Sequence, residues 1–342
     1  METILLLSYT EKDGGLGRQS LEALTAACDL AKDLGAALHV GLVGGDVEIA
    51  SLALGGCGAV KFLAVTGPEF TQSRYASDAA ALEALCRASG ASVVLAPADS
   101  RLSRAMPGVA LRLGGRVDTQ VTAISVTDGV PTVVRWYYRQ RMFGTLTREQ
   151  RPWILTLAPG CFPAYAAQPS PATFESVAVA LPEAAKRTTV TGVESPSADE
   201  QTIRPEAQVL LVAGAGWTKK QADGQTHVEQ AGALILEFLA ETLSSLGSSK
   251  SLVDQSGEGQ VLPFLTHLHQ VGQTGATPRH LKGLATCCHG EEPHVVGWRF
   301  ITERRAVNLD PGCGWAQGKA DVLYVADAFA VMTQVNELLK KE

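Results

Sequence analysis

The chain has 342 residues, of which 46% are hydrophobic and 19% charged, and its formal net charge is −6. This length favours two hydrophobic cores over one, and the lack of any long Lys or Arg run argues against nucleic acid as a partner. No stretch approaches the roughly 20 apolar residues of a membrane span, so direct membrane insertion is not expected.

Strands and helices are predicted to alternate in the first half of the chain. The apolar run of residues 3–9 precedes a segment with apolar residues at helical spacing from Ser20 to Leu34, which predicts a strand followed by a helix. The same order continues as strand 38–45, short helix 46–54, strand 59–65, helix 77–88 and strand 91–98. This alternation predicts a mostly parallel sheet with helices on both faces.

An antiparallel hairpin and a connecting segment follow. After Pro107, a short helix leads into two β-rich runs on either side of Asp128-Gly129, which is a hairpin turn signal. A segment rich in Pro, Ser, Thr and Glu begins near residue 170 and is typical of a linker. We predict an N-terminal α/β domain over residues 1–168, a linker or hinge over 169–205 and a second domain over 206–342.

The second half restarts with an apolar strand and a glycine-containing turn at residues 207–216. The remaining predicted elements are a long helix from His227 to Leu246, short strands at Gly283–Thr286 and Arg305–Asn308, and a final helix from Ala326 to Leu339. His267 and His269 alternate on a further predicted strand, where a structural role is favoured. The predicted fold class is α/β, with two doubly wound, mostly parallel-sheet domains.

Two glycine-containing motifs in the second half could carry chemistry. At residues 209–220, VLLVAGAGWTKK, the backbone at Gly214 and Gly216 could approach an anion, with Lys219 beside it. Such turns are equally common for purely conformational reasons, and the full dinucleotide fingerprint is missing. The motif VGQTG, residues 271–275, sets an amide and a hydroxyl between glycines where a strand should end, which suits a heteroaromatic ring.

VGQTG resembles the flavin-contacting loop of the electron-transferring flavoprotein α subunit family. Residues 306–311, AVNLDP, resemble that family's Ala-Ile-Asn-x-Asp-Pro, and the interval from His294 to Asn308 matches without a gap. Asp321 resembles the family's acidic residue near the adenosine end of the cofactor. Residues 99–113 and 156–163 resemble segments of the family's first domain, so the likeness covers nearly the whole chain.

The resemblance implies that the second domain binds FAD. Thr274 would contact the isoalloxazine near N5, and His294 would lie near the O2 edge, where a donor stabilises charge on the reduced ring. The other implied cofactor contacts are Gly272, Gln273 and Gly275 around the ring, His289 and Gly290 near the ribityl or pyrophosphate, and Asn308 and Asp321 at the adenosine.

The chain departs from the family's pattern in the first FAD turn. The family has Ser-Gly-Gly-Arg-Gly where residues 213–217 read Ala-Gly-Ala-Gly-Trp, so Gly216 replaces the arginine over the flavin. Lys219 or Lys220 could supply the missing charge, and Trp217 could stack on the ring. His289 and Pro293 replace a Ser and a Gln, which indicates a divergent member.

Other chemistries have less support. Cys287, Cys288 and His289 could suggest a metal, but adjacent cysteines lack the C-x-x-C spacing, and no metal site is predicted. The cationic and aromatic run of residues 135–141 could stack on a nucleotide; in the family this region packs against the partner subunit, which favours an interface. Seven scattered cysteines and the lack of a secretory signal pattern predict a cytoplasmic protein.

The function implied by the resemblance is that of an electron carrier rather than a substrate-transforming enzyme. With a β subunit, the chain would bind FAD and pass electrons from a flavin dehydrogenase, of the acyl-CoA or N-methylamine type, to a membrane quinone reductase or other acceptor. The alternatives are a subunit of an NADH-dependent electron-bifurcating flavoprotein and a structural subunit that has lost its flavin. An NAD-dependent dehydrogenase is disfavoured because the glycine fingerprint is missing.

Overall fold

The computed structural model describes residues 2–137, 142–166, 170–192, 203–204, 207–254, 261–272, 278, 280–286, 301–312 and 320–341. The chain divides into two compact units, residues 1–193 and 194–342. Each unit has its own sheet and its own hydrophobic core. No helix within the described ranges is long and apolar enough to cross a bilayer.

The first unit contains a nine-stranded, mostly parallel sheet. Its strands are β1 Thr3–Tyr9, β2 Ala37–Gly44, β3 Lys61–Thr66, β4 Val93–Pro97, β5 Arg116–Thr127, β6 Val130–Tyr137, β7 Met142–Leu146, β8 Trp153–Leu157 and β9 Glu175–Ser176. The order is β7-β6-β5-β8-β4-β1-β2-β3-β9. β6 pairs antiparallel with β5 and β7, which confirms the predicted hairpin. Its helices are α1 Arg18–Leu34, α2 Glu48–Leu52, α3 Tyr75–Ser89 and α4 Ser100–Arg112.

Both faces of this sheet are buried. Ile4 and Leu6 of β1 pack on the face that carries α1, whereas Leu5 and Leu7 pack on the face that carries α3 and α4. A strand covered on both faces is apolar at most positions, because neither side-chain direction leads to water. That requirement explains the unbroken apolar run at the start of the chain.

Helix α4 begins earlier than the sequence indicated. Asp99 caps it, because its carboxylate accepts a hydrogen bond from the Leu102 amide at 2.8 Å. Pro107 therefore lies inside the helix, and the prediction of a helix that starts after Pro107 was wrong. A strong N-cap and the buried apolar face of α4 outweigh the one hydrogen bond that a proline removes.

The second unit contains a five-stranded parallel sheet in the order β11-β10-β12-β13-β14. The strands are β10 Val209–Ala213, β11 Ser245–Ser248, β12 Lys282–Thr286, β13 Glu303–Asn308 and β14 Val322–Val325. The described α-helices are α5 Val228–Thr242, α6 Lys250–Asp254 and α7 Ala328–Leu339. Strand order reverses between β10 and β12, as in doubly wound sheets. The predicted class, α/β with two mostly parallel sheets, is confirmed.

Two predictions for the second unit were wrong. Helix α5 ends at Thr242, Leu243 takes a left-handed conformation with φ 50°, and residues 245–248 form β11 rather than helix. A short buried strand is hard to distinguish from helix by its apolar pattern, and serines and Gly247 are poor helix formers. His267–His269 form a 3₁₀ helix capped by Thr266, not a strand.

Candidate functional site

The strands of the second sheet end at one level. Ala213 lies beside Ser248 and Thr286, and Asn308 lies beside Val325. In doubly wound sheets, ligands bind outside the carboxyl ends of the strands, at the point where strand order reverses. The edge above β10 and β12 is therefore the candidate site.

The turn after β10 is held firmly against β12. The Gly214 amide donates to the Thr286 carbonyl oxygen at 2.8 Å, and a buried 3₁₀ helix, Ala215–Thr218, follows. Gln221 Nε2 donates to the carbonyl oxygens of Gly216, at 3.0 Å, and Lys219, at 2.7 Å. Gly214 and Gly216 are buried, while Lys219 is partly exposed. The predicted turn thus lies at the site, with its backbone conformation fixed.

The side chain of Trp217 holds this turn against β12 and α7. Its side chain is fully buried, its Nε1 donates to Thr286 Oγ1 at 2.9 Å, and its ring packs edge-on against Phe329 with centroids 4.6 Å apart. The interpretation of Trp217 as a stacking partner for a flavin was wrong, since both faces of the ring are enclosed by the core. Its role is to join β10, β12 and α7.

The end of β11 brings polar groups to the same edge. Ser248 is fully buried, and among the described residues its Oγ has no hydrogen-bond partner. An unsatisfied buried hydroxyl costs about 1–3 kcal/mol, which a bound ligand would recover. Ser249 donates its amide to the Ala213 carbonyl oxygen at 2.9 Å, and Lys250 begins α6 directly after it. These residues were missed because they follow the predicted helix, which ended at Leu246, and were left unassigned.

Gly272 reaches this edge as well. The preceding residue, Val271, donates its amide to the Ser248 carbonyl oxygen at 3.0 Å. Gly272 is buried with φ 140°, a conformation that L side chains rarely adopt. The start of the VGQTG motif therefore lies beside β11, at the level of Ser248.

Asn308 and Asp327 lie together at the ends of β13 and β14. Asn308 is buried, its Nδ2 donates to the Asp310 carbonyl oxygen at 3.2 Å, and its own carbonyl oxygen accepts from the Ala326 amide at 3.2 Å. Asp327 caps α7 by accepting from the Phe329 amide at 3.0 Å. Asp327 was not among the predicted site residues, although an Asp before a helix is a recognisable N-cap signal.

Asp321 lies at the other end of the sheet. It directly precedes β14 and pairs with Arg304, with Nη2 to Oδ1 at 2.8 Å and the Arg304 amide to Oδ2 at 2.7 Å. These bonds from Arg304 hold the pKa of Asp321 below its usual value. The structure thus does not bring Asp321 together with Gly214 and Asn308.

The remaining predicted contacts lie outside the described residues: Gln273, Thr274, Gly275, His289, Gly290 and His294. The cysteines considered as metal ligands, Cys287 and Cys288, also lie outside them. In the part of the chain that is described, no group of three or more His, Cys, Asp or Glu side chains could hold a metal ion.

Comparison with known proteins decides the family. The model of the electron transfer flavoprotein domain matches residues 5–198, more than half of the 342-residue chain. The chain belongs to the electron transfer flavoprotein family. It is also 26% identical over 336 residues to the electron transfer flavoprotein subunit alpha of Clostridium acetobutylicum, and this alignment covers 96% of the chain and 92% of that protein. The resemblance seen in the motifs is confirmed.

In this electron transfer flavoprotein chain, two lysines provide positive charge near the site. Lys219 follows the β10 turn, and Lys250 follows β11, where its Nζ lies 3.2 Å from Asp254 Oδ2. The position of the family's arginine is taken by the buried Gly216. Two cations close to this edge in sequence are therefore Lys219, after the β10 turn, and Lys250, at the start of α6.

Proposed function

We propose that this chain is the α subunit of an electron transfer flavoprotein, and that FAD binds at the carboxyl edge of its second sheet. The observation that carries the proposal is the buried hydroxyl of Ser248, which has no hydrogen-bond partner among the described residues and lies at the carboxyl end of β11, next to the β10 turn. The nearly full-length similarity to an α subunit supports it. FAD supplies the redox chemistry when bound, and the protein positions it and adjusts its electrostatics.

The described side chains suit a flavin dinucleotide. Gly214 and Gly272 leave room for close approach of a ligand to the backbone. The hydroxyl of Ser248 is available for a hydrogen bond, and Lys250 or Lys219 would offset negative charge on the phosphates or the reduced ring. Asn308 would face the adenosine half. Asp327 is the better candidate for the acidic adenosine contact than Asp321, because it lies at the carboxyl edge.

The contacts implied for Gln273, Thr274, Gly275, His289, Gly290 and His294 remain part of the proposal. We also propose that the electron donor is a flavin dehydrogenase of the acyl-CoA or N-methylamine type. The electron acceptor would be a membrane quinone reductase or another oxidant. The segment predicted over residues 169–205 would act as the hinge on which the FAD domain moves. We also propose that the protein is cytoplasmic.

The first test concerns the adenosine contacts. Asn308→Ala and Asp327→Ala should each weaken FAD binding about tenfold or more, because a lost hydrogen bond to a charged or buried partner costs about 1.5–3 kcal/mol. The matched control is Asp321→Asn, which should leave affinity within about twofold. The measurement is flavin absorbance per protein in the complex purified with its β subunit, followed by FAD titration of the apoprotein.

Two results would count against this assignment. One is a loss of FAD from Asp321→Asn as large as that from Asp327→Ala. The other is a colourless wild-type complex that cannot be reconstituted with FAD, which would mean that the chain is a structural subunit.

The β subunit is proposed to contact the outer end of the first sheet. Phe143 and Met142 are 61% and 52% exposed on the edge strand β7, and the Phe143 ring packs edge-on against Trp136 at 5.4 Å. Arg135 lies over the Tyr137 ring at 4.5 Å. An open strand edge that displays large apolar side chains suits a protein contact better than solvent.

Phe143→Asp should weaken association with the β subunit by tenfold or more, as expected for a central aromatic contact worth about 2 kcal/mol. Leu111→Asp is the matched control, because Leu111 is 82% exposed on α4 and lies away from the open edge of β7. The measurement is titration calorimetry of the two purified subunits. If Phe143→Asp and Leu111→Asp bound the β subunit with equal affinity, this surface would be excluded as the interface.

A further inference from the structure

Two thiols meet in the first unit. Cys28 lies on α1, and Cys57 lies in the turn that follows α2. Cys28 Sγ donates to the Cys57 carbonyl oxygen at 3.4 Å, so the two cysteines are in direct contact. Both cysteines are free, and both pack against the same core cluster.

The contact makes the two thiols unequal. The neighbouring Cys28 side chain lowers the pKa of Cys57 to about 7; burial opposes this change, and the Ala59 amide adds to it. The Cys57 side chain, burial and the nearby Asp29 carboxylate raise the pKa of Cys28. Since the thiolate is the nucleophile of cysteine chemistry, we expect Cys57 to react before Cys28 at neutral pH. Cys86 differs, because burial raises its pKa to about 12.

We propose that Cys28 and Cys57 form a peroxide-sensitive dithiol site that closes to an intramolecular disulfide. The Cys57 thiolate attacks one oxygen of hydrogen peroxide: an S–O bond forms, the O–O bond breaks, and the released hydroxide takes up a proton to leave as water. The Cys28 thiol, after losing its proton, attacks the sulfenic sulfur of Cys57. The S–S bond forms, the S–O bond breaks, and a second water leaves. The pair loses two electrons and the peroxide gains them.

The location gives the disulfide a mechanical consequence. The turn that contains Cys57 holds the chain just where the predicted connecting segment begins: the Gly55 amide donates to the Ser170 carbonyl oxygen and the Ser170 amide to that of Leu52, both at 2.9 Å. The Cys28–Cys57 bond would fix this turn to α1. Oxidation should therefore slow amide exchange at Gly55 and Ser170, whose protection depends on opening of the turn.

The test uses the purified full-length chain at neutral pH with limiting hydrogen peroxide. Remaining thiols are alkylated, and peptides are mapped by mass spectrometry without reduction. We expect a Cys28–Cys57 linked peptide that dithiothreitol removes, and loss of the Cys57 thiol at least about tenfold faster than loss of Cys86. Slower exchange at Gly55 and Ser170 in the oxidised chain should accompany it.

Two variants sharpen the test. Cys28→Ser should give no linked peptide, but a Cys57 sulfenic acid that dimedone traps. Cys86→Ser should leave formation of the linked peptide unchanged. Equal rates for Cys57 and Cys86, or a Cys57 disulfide to any residue other than Cys28, would overturn the proposal, and the wild-type chain alone suffices for both observations.

Discussion

Replacement of Asp118 by asparagine is expected to destabilise the first unit by about 3 kcal/mol. The Asp118 carboxylate is 1% exposed and accepts hydrogen bonds from Arg148 at 2.9 and 3.0 Å, from Arg135 at 3.2 Å and from Trp153 Nε1 at 2.9 Å. Removing one member of a buried ion pair costs about 3–5 kcal/mol, because the opposite charge is left without a partner. Arg148 is partly exposed, so solvent screening favours the lower end of that range.

Asp128→Asn is the matched control for this prediction. Asp128 lies in the exposed turn of the same hairpin with φ 51°, a conformation that asparagine also tolerates, so stability should change by less than about 0.5 kcal/mol. The measurement is urea unfolding followed by circular dichroism and tryptophan fluorescence, with a separate transition fitted for each unit. If Asp118→Asn and Asp128→Asn had the same free energy of unfolding, the claim that the hydrogen bonds to Asp118 stabilise the first unit would be wrong.

The same network predicts a dependence on pH. Burial alone would raise the pKa of Asp118, but hydrogen bonds from Arg148, Trp153 and Arg135 hold it below the usual value. The stabilisation is therefore complete above pH about 5, roughly one unit above the ordinary pKa of Asp, and is lost as pH falls through that value and then through the lower folded value. The difference in free energy of unfolding between wild type and Asp118→Asn should shrink below pH about 4 and stay constant above pH about 5.

Replacement of Trp217 by alanine is expected to destabilise the second unit by about 3–5 kcal/mol, the usual cost of deleting a buried large aromatic side chain. The FAD binding that we propose should also weaken in this variant, because Trp217 holds the β10 turn against Thr286 and Phe329. Trp217→Phe keeps an aromatic ring in the core and removes the hydrogen bond to Thr286, so we expect it to cost about 1 kcal/mol from the hydrogen bond, plus a smaller packing cost.

Flavin content is measured first, in buffer without urea, with the folded state checked by circular dichroism. The free energy of unfolding is then measured by urea titration of the same samples. A folded Trp217→Ala chain that keeps full flavin content would contradict the role of the β10 turn in the site. Unchanged stability of Trp217→Ala would instead contradict the burial of this side chain.

The alternation of strands and helices in the first half of the chain could be predicted from the sequence. Both faces of β1 are covered, so residues 4–7 are all apolar, whereas α1 repeats its apolar residues at helical spacing. The hairpin at Asp128-Gly129 was equally readable, because turn chemistry is local. β11 was not, since four buried residues after a helix carry too little pattern to separate strand from helix.

The sequence by itself determined the fold class, the family resemblance and two parts of the candidate site, the turn at Gly214 and the strand end at Asn308, because these depend on local patterns and contiguous motifs. Tertiary structure alone decided the rest. Asp321 and Asp327 flank one short strand, and only the pairing of β14 with β13 shows which of them lies at the carboxyl edge. The burial of Trp217 and the meeting of Cys28 with Cys57 likewise arise from packing between segments distant in sequence, which no local pattern encodes.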